Sequence, residues 1–131
     1  MIVYVDTSAA IKLLVEEPES AALASHLEAV RHGQDTLVAS LLLHTELHCA
    51  ANRRQEHIDR DAVARVLSVI GLIDVESGDL TTAPLLPGRL RSADAIHLAT
   101  ALRVNARAMV AYDGELSSAA KTAGISVLSP R

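Results

Sequence analysis

The sequence predicts an α/β fold, a mostly parallel sheet with helices on both faces. Three observations carry that prediction. Short apolar runs suited to buried strands alternate with longer segments of helical periodicity along the whole chain. Capping residues and glycines punctuate the joins between them. Half of the 131 residues are hydrophobic and only 21% are charged, so the chain can bury a core and intrinsic disorder is excluded.

The elements run in order along the chain. Ile2–Val5 is a short apolar run ending at Asp6 and reads as a buried strand. Asp6, Thr7 and Ser8 supply capping groups for a helix through Val15, and Pro18 stops it. A second helix spans Glu19 to Arg31 and ends at Gly33. Thr36–Ala39 reads as the second strand, and Ser40 caps a long helix reaching about Arg54. Ile58–Ile70 is a further helix and Leu72–Val75 a third strand. Gly78 to Gly88, with Pro84 and Pro87, reads as a short helix followed by a loop. Ser92 caps a helix to about Asn105, and Ala108–Tyr112 is a fourth strand. Gly114–Ala123 is a helix closed by Gly124, and Ser126–Leu128 is the last strand. No repeat, low-complexity segment or linker divides the chain, so a single domain over residues 1–131 is expected.

Composition narrows the partners. A net charge of −4 provides no global attraction for polyanions, so nucleic-acid binding needs a local basic patch or metal ions. Phe and Trp are absent, and Tyr4 and Tyr112 lie inside strand-like runs, which argues against a base-stacking platform. Cys49 is the only cysteine and cannot form an internal bridge. The opening MIVYVDTSAA lacks the basic segment and long apolar core of a signal peptide. The densest apolar stretch, Leu37–Leu43, is too short to span a bilayer. A cytoplasmic chain is expected.

In open α/β sheets ligands gather at the carboxyl ends of the strands, which makes the acids there informative. Asp6 ends the first strand and Asp113 the fourth; capping of the following helices would account for either alone. Glu46 is harder to place. At ~100° per residue it falls in the middle of the apolar arc of its helix, between Leu42 and Cys49 on one side and Leu43 and Ala50 on the other. A carboxylate there needs a cation, a proton or a buried Arg. Asp94 shares a helical stripe with Leu98 and Ala101, although a first-turn acid also complements the helix dipole. Converged on one pocket, four such carboxylates would repel, and a divalent cation relieves that repulsion. An oxygen-only donor set favours Mg²⁺ or Mn²⁺, ions suited to phosphodiester hydrolysis.

Other signals are weaker. His44 and His48 share a helix face as a zinc pair would, but Glu46 points away from them, so the pattern is not that of a metalloprotease. A solvated or interface face is the expectation for them, and a satisfied, partly buried side chain for His97. Ser8 and Ser40 have no evident His–Asp partners, and Gly71, Gly78 and Gly88 are isolated rather than part of a phosphate loop. Arg53, Arg54, Arg89 and Arg91 are candidates to hold phosphates beside the acids.

D-T-S-A after the first strand, an inward Glu on the third helix, S-A-D-A-I-H-L-A-T-A at Ser92–Ala101 and Y-D-x-x-L from Tyr112 occur in an order that resembles PIN-domain proteins, specifically VapC-type toxins of toxin–antitoxin pairs. The resemblance runs along essentially the whole chain. It implies an α/β/α sandwich and a metal-dependent endoribonuclease using Mg²⁺ or Mn²⁺. It also implies Asp6, Glu46, Asp94 and Asp113 as the acidic quartet, with Asp6 and Asp94 as direct ligands. Glu46 and Asp113 would bind through water, hold a second ion or orient the attacking water, and Thr7 or Ser8 would order the first acidic loop. The further implications are a homodimer and a small antitoxin that lays a peptide across the active-site groove. One departure concerns Ala111, where the family often has Thr or Ser; Glu115 then becomes a substitute or auxiliary for Asp113. Two alternatives stand beside this reading. One is a non-catalytic PIN-like binding module whose metal site has decayed. The other is a receiver-like phosphoacceptor, which requires paired acids at the first strand and a Lys after a late one; here Asp6 stands alone, and Lys12 and Lys121 lie in helices.

Overall fold

In the computed structural model, which describes residues 1–131, β1 (Ile2–Val5) is the central strand of a five-stranded sheet. The others are β2 (Thr36–Ser40), β3 (Gly71–Ile73), β4 (Ala108–Val110) and β5 (Ser126–Leu128), in the order β3-β2-β1-β4-β5. Every neighbouring pair is parallel, with Val3 opposite Leu37 on one side and Ala108 on the other. A central parallel strand is covered on both faces, which is why IVYV runs without alternation and Val3, Tyr4 and Val5 are all buried. The covering layers are α1 (Thr7–Lys12), α2 (Ser20–His32), α3 (Leu42–Arg53), α4 (Arg60–Ser68), α5 (Ser77–Thr82), α6 (Ser92–Arg103) and α7 (Gly114–Thr122), giving a three-layer α/β/α fold. With no large aromatic residue but Tyr4 inside, the core is built from aliphatic side chains such as Leu23, Leu43, Leu47, Val63, Leu98 and Leu116. No helix is long and apolar enough to cross a membrane.

The observed elements follow the predicted order, and the differences have local causes. α1 stops at Lys12, well short of Val15; Leu13 and Leu14 continue as a turn whose N–H groups reach back to Ala10 and Ile11. α4 begins at Arg60 because Asp59 takes the cap, accepting the Asp61 N–H, while Ile58 is buried ahead of it. β3 is Gly71–Ile73, earlier than expected: Ser40 lies opposite Ile73, the strand ends there, and Val75 is exposed. Ser92 is not a cap. It is the first residue of α6, and extended Arg91 holds the cap position without a side-chain bond. Ser40 does serve α3, accepting the Leu42 N–H at 3.1 Å from one residue outside the cap position. Gly124, with φ of 95°, turns the chain out of α7 into β5 through a backbone region that L-residues avoid.

The placement of α6 sets where Asp94 and His97 stand, and a polar clamp contributes to it. Asp79, 2% exposed on α5, accepts from Arg103 Nε at 2.7 Å and Nη2 at 3.0 Å. Arg103 ends α6, so the pair fastens that helix to α5.

Candidate active site

The strand order reverses between β1 and β4: the chain leaves β1 toward β2 and β3, then returns to β4 and continues to β5 on the opposite side. Such a switch point opens a crevice at the carboxyl ends of the two strands. Asp6 follows β1 and Asp113 lies just beyond β4, so both flank that crevice. Each is also an N-cap. Asp6 Oδ2 accepts the Ser8 N–H at 3.0 Å, and Asp113 Oδ1 accepts the Leu116 N–H at 2.9 Å. Capping and site placement are therefore not alternatives here, because a carboxylate that caps with one oxygen keeps the other for the crevice.

Asp6 is held tightly. Its Oδ2 also receives the Ser8 hydroxyl at 2.6 Å, and Ser8 Oγ in turn accepts the Tyr112 N–H at 2.9 Å. This bridge ties the end of β1 to the segment after β4. The residue is 2% exposed, and its Oδ1 is buried without a hydrogen-bond partner. Buried polar atoms normally find a partner, and a bare carboxylate oxygen in an acidic cleft suits a cation.

Glu46 projects from the first half of α3 and is partly buried. Its Oε1 accepts the Thr7 hydroxyl at 2.8 Å and His97 Nε2 at 2.5 Å. Of the partners open to it, a buried Arg is not the one it finds; the cation-capable group is His97, fully buried on α6. His97 Nδ1 lies 2.6 Å from the Tyr4 hydroxyl, which accepts the Ser40 N–H at 2.9 Å. Burial works against ionisation of Glu46, but the His97 bond and charge and the Thr7 hydroxyl outweigh it, and its pKa is held below the usual value. For His97 burial also works against the charged form, yet the Glu46 bond and the charges of Asp6, Glu46 and Asp94 raise its pKa overall.

Asp94, in the first turn of α6, is pushed up to about 6. Burial is the largest cause, followed by the charges of Asp6 and Asp113; Glu46 adds to the rise and His97 opposes it. The four acids thus occupy one electrostatic neighbourhood. Glu46, Asp94, Asp113, Glu115 and Arg91 line an open depression of about 630 Å³. Glu115 stands beside Asp113 in that depression. No three of the His, Cys, Asp and Glu side chains are gathered as a ready metal cage. The fit is to a hydrated hard cation, held by one or two carboxylates with water completing its shell.

The basic candidates separate. Arg91 stands in the acidic depression, whereas Arg89 borders an apolar hollow with Leu86, Leu90 and Ile96. Arg53 and Arg54 line another hollow with Asn52 and His57. α3 runs away from the carboxyl edge of the sheet, so Arg53 lies about 10 Å beyond Glu46 along the helix axis. The His44 and His48 rings are tilted by 54° with centroids 4.5 Å apart, His44 exposed and His48 half-buried. Lys12 is engaged by Glu17 at 2.5 Å and Glu19 at 3.1 Å and lies over the Tyr112 ring, and Lys121 stands in the last turn of α7, the end of that helix away from Asp113.

The sequence reading missed Tyr4 and the position of His97 at the heart of the site. A signal was present: His97 is three residues after Asp94, and that spacing puts both on one helix face.

Comparison with known proteins decides the family. The model of the PIN domain matches residues 3–122. The chain belongs to the PIN-domain family. This PIN domain is 41% identical to Ribonuclease VapC46 of Mycobacterium tuberculosis, with 98% of this chain and 97% of that protein covered. Its fold is similar to that of VapBC2 from Rickettsia felis, solved bound to a promoter DNA fragment, with a TM-score of 0.79, 14% identity and both chains covered fully. It is also similar to Mycobacterium tuberculosis VapC20, described as a toxin that cleaves the sarcin–ricin loop, with a TM-score of 0.73, 19% identity, and 98% and 99% of the two chains covered.

Proposed function

We propose that this PIN domain is a metal-dependent endoribonuclease and the toxin of a toxin–antitoxin pair. The observation that carries the reading is the acidic quartet at the switch point, with a bare buried oxygen on Asp6. The similarity to proteins named Ribonuclease VapC supports RNA as the substrate. Residues 1–131 act as one domain in this reading.

Asp6 and Asp94 would hold Mg²⁺ or Mn²⁺, Asp6 through Oδ1, with Asp113 and Glu115 at the margin of the shell. When bound, the ion stabilises charge on the phosphodiester and lowers the pKa of water. Glu46 is kept ionised by Thr7 and His97 and would join Asp6 and Asp94 around the ion, while the attacking water gives up its proton to solvent. The water oxygen bonds to phosphorus, the P–O bond breaks, and the departing oxygen takes a proton from solvent. Arg91 at the rim neutralises a backbone phosphate. The partners in this reading are a small VapB-like antitoxin and a second copy of the chain, acting in the cytoplasm. VapBC complexes among the similar folds support the antitoxin.

The test is cleavage of total RNA by purified, antitoxin-free protein with Mg²⁺, Mn²⁺ or EDTA, beside Asp94→Asn. Cutting that requires metal and is lost in the variant is expected. Cutting undiminished in EDTA overturns the mechanism.

A further inference from the structure

We propose that His97, with its proton placed by Tyr4, is a positioning residue that makes Glu46 a ligand through one oxygen only, Oε2. The inference rests on the metal-dependent reading of the same site and names residues which that reading does not require.

The assignment comes from counting donors. The Ser40 backbone N–H can only donate, so the Tyr4 oxygen accepts it at 2.9 Å. A phenol carries a single proton, and the other polar atom bonded to this one is His97 Nδ1 at 2.6 Å. With the ring neutral, Tyr4 therefore donates to Nδ1. An imidazole that accepts at Nδ1 carries its proton on Nε2, and that N–H donates to Glu46 Oε1 at 2.5 Å, with Thr7 Oγ1 a longer second acceptor at 3.0 Å. The Thr7 hydroxyl donates to the same oxygen at 2.8 Å. Two donors saturate one face of Oε1 and fix the plane of the carboxylate, while no side chain bonds Oε2.

The chain of bonds is anchored in the most rigid part of the molecule. Tyr4 belongs to the central strand, Ser40 ends β2, and Tyr4, His97 and Ser40 are fully buried. The rings meet edge-on with centroids 5.8 Å apart. Burial raises the Tyr4 pKa well above its usual value, so the phenol keeps its proton. A buried polar pair in an apolar core is costly unless every atom is partnered. Here every atom is, and the chain ends on a carboxylate at the edge of the acidic depression. An isolated core histidine would need only local partners. This one relays the geometry of the sheet to Glu46, over a separation of 51 residues in sequence.

The relay has an unusual sensitivity. Tyr4 touches neither the depression nor Glu46, yet removing its hydroxyl frees the imidazole to place its proton on Nδ1. Nε2 would then turn a lone pair toward the carboxylate it now binds, and Glu46 would lose its orientation.

The experiment measures Mn²⁺ affinity by calorimetry on folded wild type, Tyr4→Phe, His97→Gln and His97→Leu. The His97 tautomer in the metal-free wild type is read by ring ¹⁵N chemical shifts in mildly alkaline buffer. The expected ring carries its proton on Nε2 alone. His97→Leu weakens Mn²⁺ binding by roughly 10–100-fold, the usual cost of losing a group that orients a ligand, and Tyr4→Phe by about 10-fold. His97→Gln, whose amide still donates to Oε1, recovers part of the loss. A proton on Nδ1 overturns the proposal, and that readout needs no variant to fold. Unchanged Mn²⁺ affinity in folded Tyr4→Phe and His97→Leu, against a wild type that binds, overturns this inference alone. A wild type that binds no Mn²⁺ overturns the metal-dependent reading together with it.

Discussion

Glu46 and Asp94 border the same depression, yet their surroundings drive the two carboxyl groups in opposite directions. Glu46 is kept ionised by its bonds to His97 and Thr7, against its own burial. Asp94 has no such donors and answers to burial and to the charges of Asp6 and Asp113, which push it up to about 6. Asp94 is therefore the first of this pair to take up a proton on acidification. Mn²⁺ affinity should fall as pH drops through about 6, and RNA cleavage should fall with it. Affinity measured across that range checks this, and a flat profile would show that Asp94 does not hold the ion.

The same shift has a consequence for the metal-free fold. The folded pKa of Asp94 lies above its ordinary value of 3.8, so the folded state binds this proton more tightly than the unfolded chain does. Its contribution favours the fold at low pH and is lost as pH rises through about 6. Metal-free Asp94→Asn should melt above wild type at neutral pH, and the gap should narrow on acidification. Adding Mn²⁺ should reverse the order, since only wild type gains from binding. Thermal melts at several pH values with and without Mn²⁺ test both halves.

Ser8 carries two duties through one hydroxyl, donating to Asp6 and accepting from the Tyr112 N–H. Ser8→Ala should cost about 1–2 kcal/mol in urea unfolding, because it leaves a backbone donor unpaired. It should also weaken Mn²⁺ binding by about 10-fold, as Asp6 loses a group that orients it. Ser8→Thr, which keeps the hydroxyl, should restore most of both. A loss of stability with undiminished Mn²⁺ affinity would confine Ser8 to a structural role.

Arg91 and the Arg53–Arg54 pair make opposite predictions. Arg91→Ala should weaken RNA binding and lower the slope of log affinity against log salt by about 0.7, the value for one phosphate contact on a single strand. Arg53→Ala and Arg54→Ala should change cleavage far less, since both side chains line a hollow that contains none of the acids. Binding measured over a salt series with a non-cleavable RNA distinguishes them.

Much of the site is legible in the sequence because its acids sit at places that sequence marks well. Asp6 and Asp113 stand where apolar runs end, and Glu46 interrupts an apolar arc. The partner of Glu46 is not legible: pairing with His97 depends on how α6 settles against the sheet beside α3, which no local pattern encodes. Arg53 and Arg54 depart from expectation for a different reason. Nearness to Glu46 in sequence is not nearness in space, because a helix leaving the carboxyl edge carries its far end away from it. The β3 boundary differs because pairing with β2, not the apolar run, decides where that edge strand stops.

Pairing of β1 with β4 is what brings Asp6 beside the segment that carries Asp113. The first acid and the last are thus joined through a bond between Ser8 and Tyr112 that spans 104 positions of sequence. Asp6, Glu46 and Asp94 all precede Asp113 in sequence, so the four share a site only once β4 has paired with β1. A pocket assembled in this way reports on the whole fold: loosening β1 from β4 parts its first acid from its last.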